Sequence, residues 1–270
     1  MEQMPRPENT QNFSRVIRAD ALRMVHKAGA SHIGSCLSVA DMLAVLYGET
    51  MRVRPHEPGW PSRDRFILSK GHAAAALYST LARRGFFSPT LLETFCAFDS
   101  TLLGHVSHHV PGVEFSTGSL GHGLSLAAGI ALAATLNGSQ YRSFVILSDG
   151  ECDEGSTWEA ALFAGHWRLK NLIALVDYNK IQSFGRIADV LDLEPFADKW
   201  RAFGWDAIEL DGHDHAQLSH ALGIVRARPT VLICHTTKGK GVSFMEDKLE
   251  WHYKSPDSTQ LARALAEVGA

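Results

Sequence analysis

The chain has 270 residues, 45% of them apolar and 20% charged, with a formal net charge of −3. Such a chain builds one large α/β domain or two small ones, and its charge gives no electrostatic reason to expect nucleic acid or an anionic membrane as partner. No apolar stretch approaches the roughly 18 residues of a membrane-spanning helix, and the four cysteines (Cys36, Cys96, Cys152, Cys234) form no Cys-x-x-Cys pair, which speaks against a zinc site or a disulfide framework.

The first residues, MEQMPRPENTQNF, are polar, hold two prolines and lack the apolar core of a signal peptide. They predict an arm over 1–12, followed by one domain over 13–270 in the cytoplasm. Apolar positions at helical spacing (Val16, Ile17, Ala21, Val25) predict a helix over 14–26. A turn-rich patch covers 29–35, and Ser38 opens a second helix reaching 46. The run over 65–69 reads as a buried strand, followed by Lys70-Gly71-His72 and an alanine-rich helix to residue 83. Residues 99–123 are glycine-rich, histidine-rich and irregular. A small-residue helix is predicted over 124–136.

Next comes a strand–helix–strand unit. Phe144-Val145-Ile146-Leu147 and Leu172-Ile173-Ala174-Leu175-Val176 are β-rich runs, and Ser156-Thr157-Trp158-Glu159 between them has the form of a capping box. Trp158, Ala161, Leu162, Gly165 and Leu169 follow at helical spacing. A right-handed crossover makes the two strands parallel neighbours, so Asp149 and Asn179 emerge together at the carboxyl edge of the sheet, where open α/β folds bind ligands. A loop with a short helix is expected over 189–203. Strands over 208–210 and 230–234 flank a helix over 216–225. Both end in polar, glycine-bearing segments, Asp211-Gly212-His213-Asp214 and Thr236-Thr237-Lys238-Gly239-Lys240-Gly241. The pattern is α/β with a parallel sheet.

Asp149 and Asn179 offer hard oxygens suited to Mg²⁺ or Ca²⁺, with room left for phosphate oxygens. An EF-hand is excluded, because Glu154 and Ala160 stand where its loop needs Gly and Glu. Gly150 lets backbone approach a phosphate closely. The same residues also fit a plain turn start and a cap. His32, His72, His105 and His252 lie in polar or glycine-rich loops, where imidazole can bind phosphate and move protons. His105 with His109, or His108 with His109, is the weaker alternative of a transition-metal pair. Lys238-Gly239-Lys240-Gly241 lacks the spacing of a phosphate-binding P-loop.

Five longer motifs, WPSRDRFILSKGHAAAALY, LLGHVSHHVPGVEFSTGSLGHGLSLAAGIALA, SDGECDEGSTWEAALFA, ADKWRAFGWDAIELDGHD and KGKGVSFMEDKLEWH, carry a resemblance that runs from about residue 14 to 256. The chain resembles the N-terminal half of transketolase, most closely the separately encoded N-terminal subunit of split bacterial transketolases. The resemblance implies a three-layer thiamine-diphosphate-binding fold, α/β, with a central, mostly parallel sheet flanked by helices. It implies transfer of a two-carbon ketol unit from a ketose or ketose phosphate to an aldose, with thiamine diphosphate and Mg²⁺ (or Ca²⁺) as cofactors. Asp149, Asn179 and the main-chain carbonyl of Ile181 match metal ligands. Gly150, His72 and His252 match residues at the diphosphate and the neighbouring active centre, Gly118 and Leu120 match main chain against the aminopyrimidine, and His32 and His105 match histidines that bind sugar hydroxyls. Glu154 matches a carboxylate linking paired active sites through a buried acidic network. The chain departs from the family pattern at Ser148, at His32-Ile33 and at Gly121-His122-Gly123. The implied partner is a separate subunit carrying the pyrimidine-binding domain, in an α2β2 heterotetramer. An α subunit of a 2-oxoacid dehydrogenase, a specialised acyloin or ketol transferase, and a non-catalytic cofactor-binding module remain the other readings.

Overall fold

The computed structural model describes residues 9–270. Seven strands form among them: β1 (Arg65–Leu68), β2 (Ser143–Ser148), β3 (Leu172–Tyr178), β4 (Ile181–Gln182), β5 (Gly185–Arg186), β6 (Asp206–Asp211) and β7 (Thr230–His235). Five make one sheet in the order β1-β2-β3-β7-β6, with every neighbouring pair parallel, while β4 and β5 form a small antiparallel hairpin. The adjacency of β2 and β3 bears out the crossover expected from the sequence.

Both faces of the sheet are covered, which is why its strands read as apolar runs and not as alternating ones. Every residue of β2 is buried. Phe144 and Ile146 join a cluster built on α1 (Thr10–Ala28), α2 (Ile33–Val45) and α3 (Ala74–Arg83). Val145 and Leu147 point the other way, into a cluster with α4 (Gly123–Leu136), α5 (Gly155–His166), the single turn α6 (Ile187–Val190) and α7 (Phe196–Ala202). On the first face lie also α8 (His215–Gly223) and α9 (Ser258–Val268). Helix, sheet and helix make three layers.

Local chemistry sets the element ends. The Asn9 side chain accepts from the amides of Gln11 and Asn12 and starts α1, and Gly29 (φ 60°) ends it. Most of the expected arm over 1–12 lies outside the described residues, and Thr10, Gln11 and Asn12 are already helical. The second helix starts at Ile33, ahead of the expected Ser38, because His32 turns the chain with left-handed backbone (φ 72°) and no capping side chain. The capping box at Ser156–Glu159 does not form. Glu154 takes the cap position of α5 without a side-chain bond, and Ser156 Oγ instead donates to the Gly121 carbonyl at 3.0 Å. Leu162, expected on the packing face of that helix, is 57% exposed.

Gly165 explains how closely α5 seats against the turn between α7 and β6. A Cβ built there would lie 1.8 Å from the Phe203 carbonyl oxygen, in the turn that leads into the strand. Main chain cannot rotate away as a flexible side chain can. Gly165→Ala is expected to destabilise the fold by about 1–3 kcal/mol, as overpacking does, read as a lower denaturant midpoint with unchanged m-value.

Candidate active site

The carboxyl ends of four strands deliver charge to one place. Lys70 follows β1, Asp149 follows β2, Asp177 lies near the end of β3 and Asn179 just after it, and Thr236 and Lys238 follow β7. Of these, Asp149, Asn179 and Lys238 border a cavity of about 220 Å³, which His32, His72, His105, His252, Gly118, Leu120, Gly150 and Ile181 also line. The structure therefore brings together every sequence-nominated site residue except Glu154, which is exposed at the start of α5. His108 and His109 stack on each other, with centroids 4.1 Å apart, outside the cavity lining. His105 faces His32 instead.

Asp149 is buried, and its oxygens accept from the amides of Gly150 (2.8 Å) and Lys180 (2.6 Å). Lys180 adopts left-handed backbone (φ 66°), which folds its amide back onto that carboxylate. Asn179 Oδ1 accepts from the Ile181 amide at 3.2 Å. Among the described residues no three His, Cys, Asp or Glu side chains converge as a metal site. The oxygens here are one carboxylate, one amide and one main-chain carbonyl, a hard set that fits Mg²⁺ or Ca²⁺. Burial, reinforced by the neighbouring Asp177, pushes the Asp149 carboxyl up to about 6. Excess negative charge of that kind is what a bound cation relieves. One cation already stands beside it: Lys238 Nζ donates to the Ile181 carbonyl at 2.9 Å.

The other three imidazoles gather around His32, whose centroid lies 5.1 Å from those of His72 and His252 and 5.8 Å from that of His105. Its amide donates to the His252 carbonyl at 2.8 Å, which holds the strained left-handed turn in place. Burial, with His105 and the two lysines adding to it, lowers His32 to about 4. Burial and Lys238 lower His252 to about 3, and burial and Lys70 put His72 well below the usual range. These three rings are neutral at pH 7. A neutral imidazole offers one donor and one acceptor. At His252 the tautomer follows from geometry: Nδ1 lies 2.9 Å from the Lys238 ammonium, a group with donors only, so the ring proton sits on Nε2.

Sequence reasoning missed Lys70, Asp177, Lys238, Ser35 and Glu151. Ser35 Oγ lies 3.1 Å from His72 Nε2. Glu151 is fully buried, and its carboxylate accepts from Ser69 Oγ, from the Gly121 amide at 2.8 Å and from the Ser148 amide at 3.3 Å, tying β1 and β2 to the glycine-rich loop. Ser148 takes part, since its hydroxyl accepts from the Glu151 amide at 3.3 Å. An acidic residue inside an apolar strand and a lysine just after one were the available signals.

A doubly covered parallel sheet with hard oxygens and neutral imidazoles at its carboxyl edge forms a polar ligand site where open α/β folds bind their ligands. The model of the transketolase thiamine diphosphate binding domain matches residues 9–268. An apulose-4-phosphate transketolase subunit of Phocaeicola vulgatus is 43% identical over 254 residues, covering 93% of this chain and 90% of its own. A 6-deoxy-6-sulfo-D-fructose transketolase subunit of Clostridium sp. is 42% identical over 262 residues, covering 96% and 95%. Human transketolase is 36% identical over 253 residues, covering 93% of this chain and 41% of its own. The crystal structure of Campylobacter jejuni transketolase superposes with a TM-score of 0.90 at 31% identity, covering 96% of this chain and 42% of that one. The chain belongs to the transketolase family, as its N-terminal, thiamine-diphosphate-binding subunit. Of the readings left open by the sequence, this selects transketolase over a 2-oxoacid dehydrogenase component.

A divalent cation placed at Asp149 would compete with a proton for its carboxylate. Mg²⁺ affinity of the chain, measured by calorimetry, is expected to be level above pH about 6 and to fall by about tenfold per pH unit below it. Asp149→Asn removes both the pH dependence and most of the affinity.

Proposed function

We propose that residues 13–270 act as one diphosphate-binding domain, forming half of an active site whose pyrimidine-binding half is carried by a separate subunit. In this reading Asp149, Asn179 and the Ile181 carbonyl hold Mg²⁺ (or Ca²⁺), and the Gly150 amide approaches the diphosphate. When bound, thiamine diphosphate supplies the carbanion stabilisation that moving a two-carbon ketol unit requires. His72 and His252 orient groups at the active centre, and Gly118 and Leu120 give main chain to the aminopyrimidine. His32 and His105 hold hydroxyls of the sugar and relay protons. A neutral His32 can accept a proton from a substrate hydroxyl without first losing one. Glu154 lies at the surface, where a second subunit's acidic groups can reach it. The observation that supports this reading is the gathering of three hard oxygens and four imidazoles around one cavity.

The relatives named for apulose-4-phosphate and for 6-deoxy-6-sulfo-D-fructose support an anionic sugar, phosphorylated or sulfonated, as substrate. The departures at His32-Ile33 and Gly121-His122-Gly123 fit a specialised donor or acceptor. No helix among the described residues is long and apolar enough to cross a membrane, and we place the enzyme in the cytoplasm. Leu136, Leu162, Phe163 and Trp167 on α4, on α5 and just beyond it are 73%, 57%, 41% and 52% exposed. Apolar groups so placed support burial in an α2β2 heterotetramer.

Asp149→Ala is expected to abolish Mg²⁺-dependent thiamine diphosphate binding while leaving the far-ultraviolet circular dichroism unchanged. Unaltered affinity in calorimetry overturns the metal assignment. His32→Ala and His105→Ala are each expected to lower donor turnover by about 10²–10⁴-fold, the usual worth of a positioned acid–base group, with cofactor affinity spared. Light scattering should give a larger particle with the pyrimidine-binding subunit than without it, and ketol transfer only in the mixture. A monomer with full activity refutes the half-site reading.

A further inference from the structure

The Asp211-Gly212-His213-Asp214 turn has no part in the site described so far, yet it is built against it. A Cβ at Gly212 would lie 2.5 Å from Thr236 Cγ2 and 2.9 Å from Cys234 Cβ. Only glycine lets the turn press against the segment that leaves β7. The Gly212 amide donates to the His235 carbonyl at 2.9 Å, and the His213 amide to Asp211 Oδ1 at 2.8 Å. Asp214 then caps α8. His213 is thereby fixed between two elements.

Its ring bridges two groups. Nε2 lies 2.9 Å from the Thr237 amide, which can only donate, so Nε2 is the acceptor and the ring proton is on Nδ1. Nδ1 donates to Asp41 Oδ2 at 2.7 Å. Asp41, on α2, also receives His215 Nε2 at 3.0 Å and both terminal nitrogens of the buried Arg18 guanidinium. Burial alone would push the Asp41 carboxyl up; the two histidines and Arg18 outweigh it and keep it ionised. A permanently charged carboxylate locks the His213 tautomer in which Nε2 accepts.

Thr237 sits between two residues that serve the cavity. Thr236 Oγ1 donates to Asp177, and Lys238 Nζ donates to the Ile181 carbonyl. We infer that His213 is a positioning residue for this transketolase subunit: through the Thr237 amide it sets the place of Lys238 beside the carbonyl assigned to the metal. The inference rests on the diphosphate reading above.

Two shortened or altered side chains separate positioning from mere packing. In His213→Gln the amide oxygen reaches the place of Nε2 and can accept from Thr237. In His213→Asn the side chain ends near the place of Nδ1 and keeps only the Asp41 bond. Amide exchange over 236–241 in the free chain, and calorimetry with thiamine diphosphate in Mg²⁺, are read for both. The Asn variant should exchange faster over that segment and bind about 10–100-fold more weakly, the usual effect of losing a group that orients a ligand; the Gln variant should stay near the parent in both. Parent-like exchange or affinity in the Asn variant overturns the inference, as does equal loss in both variants. Asp149→Ala serves as the control. If that variant binds like the parent, the diphosphate reading falls, whereas the exchange contrast still decides whether His213 holds the loop.

Discussion

The site hangs on one buried ion pair. Asp177 and Lys70 are both fully buried and in direct contact, and Asp177 also accepts from Ser38 Oγ at 2.6 Å and from Thr236 Oγ1. One carboxylate thus ties the ends of β1, β3 and β7 to α2. Burial works against its charge, and the Lys70 ammonium with these hydrogen bonds reverses that, holding the carboxyl below its usual range. A buried pair adds little net stability over apolar packing, but removing either partner strands the other without compensation. Its worth is geometric. It fixes where Asn179 and Lys238 begin, and therefore where their oxygen and ammonium meet the cavity.

Burial and the same charges set the protonation of everything near them. Burial is the main reason that His32, His72 and His252 remain neutral, and Lys70 and Lys238 add to it by disfavouring further positive charge. Lys238 itself, buried and facing Lys70, is lowered to about 8 and stays mainly charged at pH 7. Burial raises Asp149, and Asp177 adds to it. Positive charge is concentrated on two lysines, and negative charge in want of compensation gathers at Asp149. That division keeps three imidazoles able to exchange hydrogen bonds with a polar substrate.

Much of this is legible in the sequence, and the reasons differ by residue. Asp149 and Asn179 stand out because strand–helix–strand order alone sets both at one edge of a parallel sheet. The loop histidines stand out by context, and the family resemblance supplies Gly118, Leu120 and Ile181. Lys70 and Asp177 do not, because their pairing spans 107 positions and no local pattern encodes it. Lys238 falls in a segment without P-loop spacing, and it reaches the cavity by another route, through the Ile181 carbonyl. The Ser156 capping box fails because the Gly121 carbonyl, from a distant loop, offers that hydroxyl a better partner. Local signals hold where neighbours decide the outcome and fail where a long-range contact competes.

Opposed titrations follow from this arrangement. His32 and His252 are at about 4 and 3 in the folded chain and near 6.5 when unfolded, so between those values the unfolded state binds more protons. Their contribution is fully present above pH about 6.5 and is lost as pH falls toward about 4 and 3. Asp149 does the reverse. At about 6 when folded and near 3.9 when unfolded, it binds more protons in the folded state, so it costs stability in full above pH about 6 and that cost is relieved as pH falls from 6 toward 3.9. In the bare chain the two trends offset one another across the same window. If Asp149 holds a divalent cation as proposed, a concentration high enough to keep the site loaded keeps the carboxylate ionised and removes only the second. The metal-loaded chain should therefore carry the histidine trend undiluted, and the bare chain a flatter profile, as a consequence of placing one carboxylate and three neutral imidazoles around a single pair of lysines.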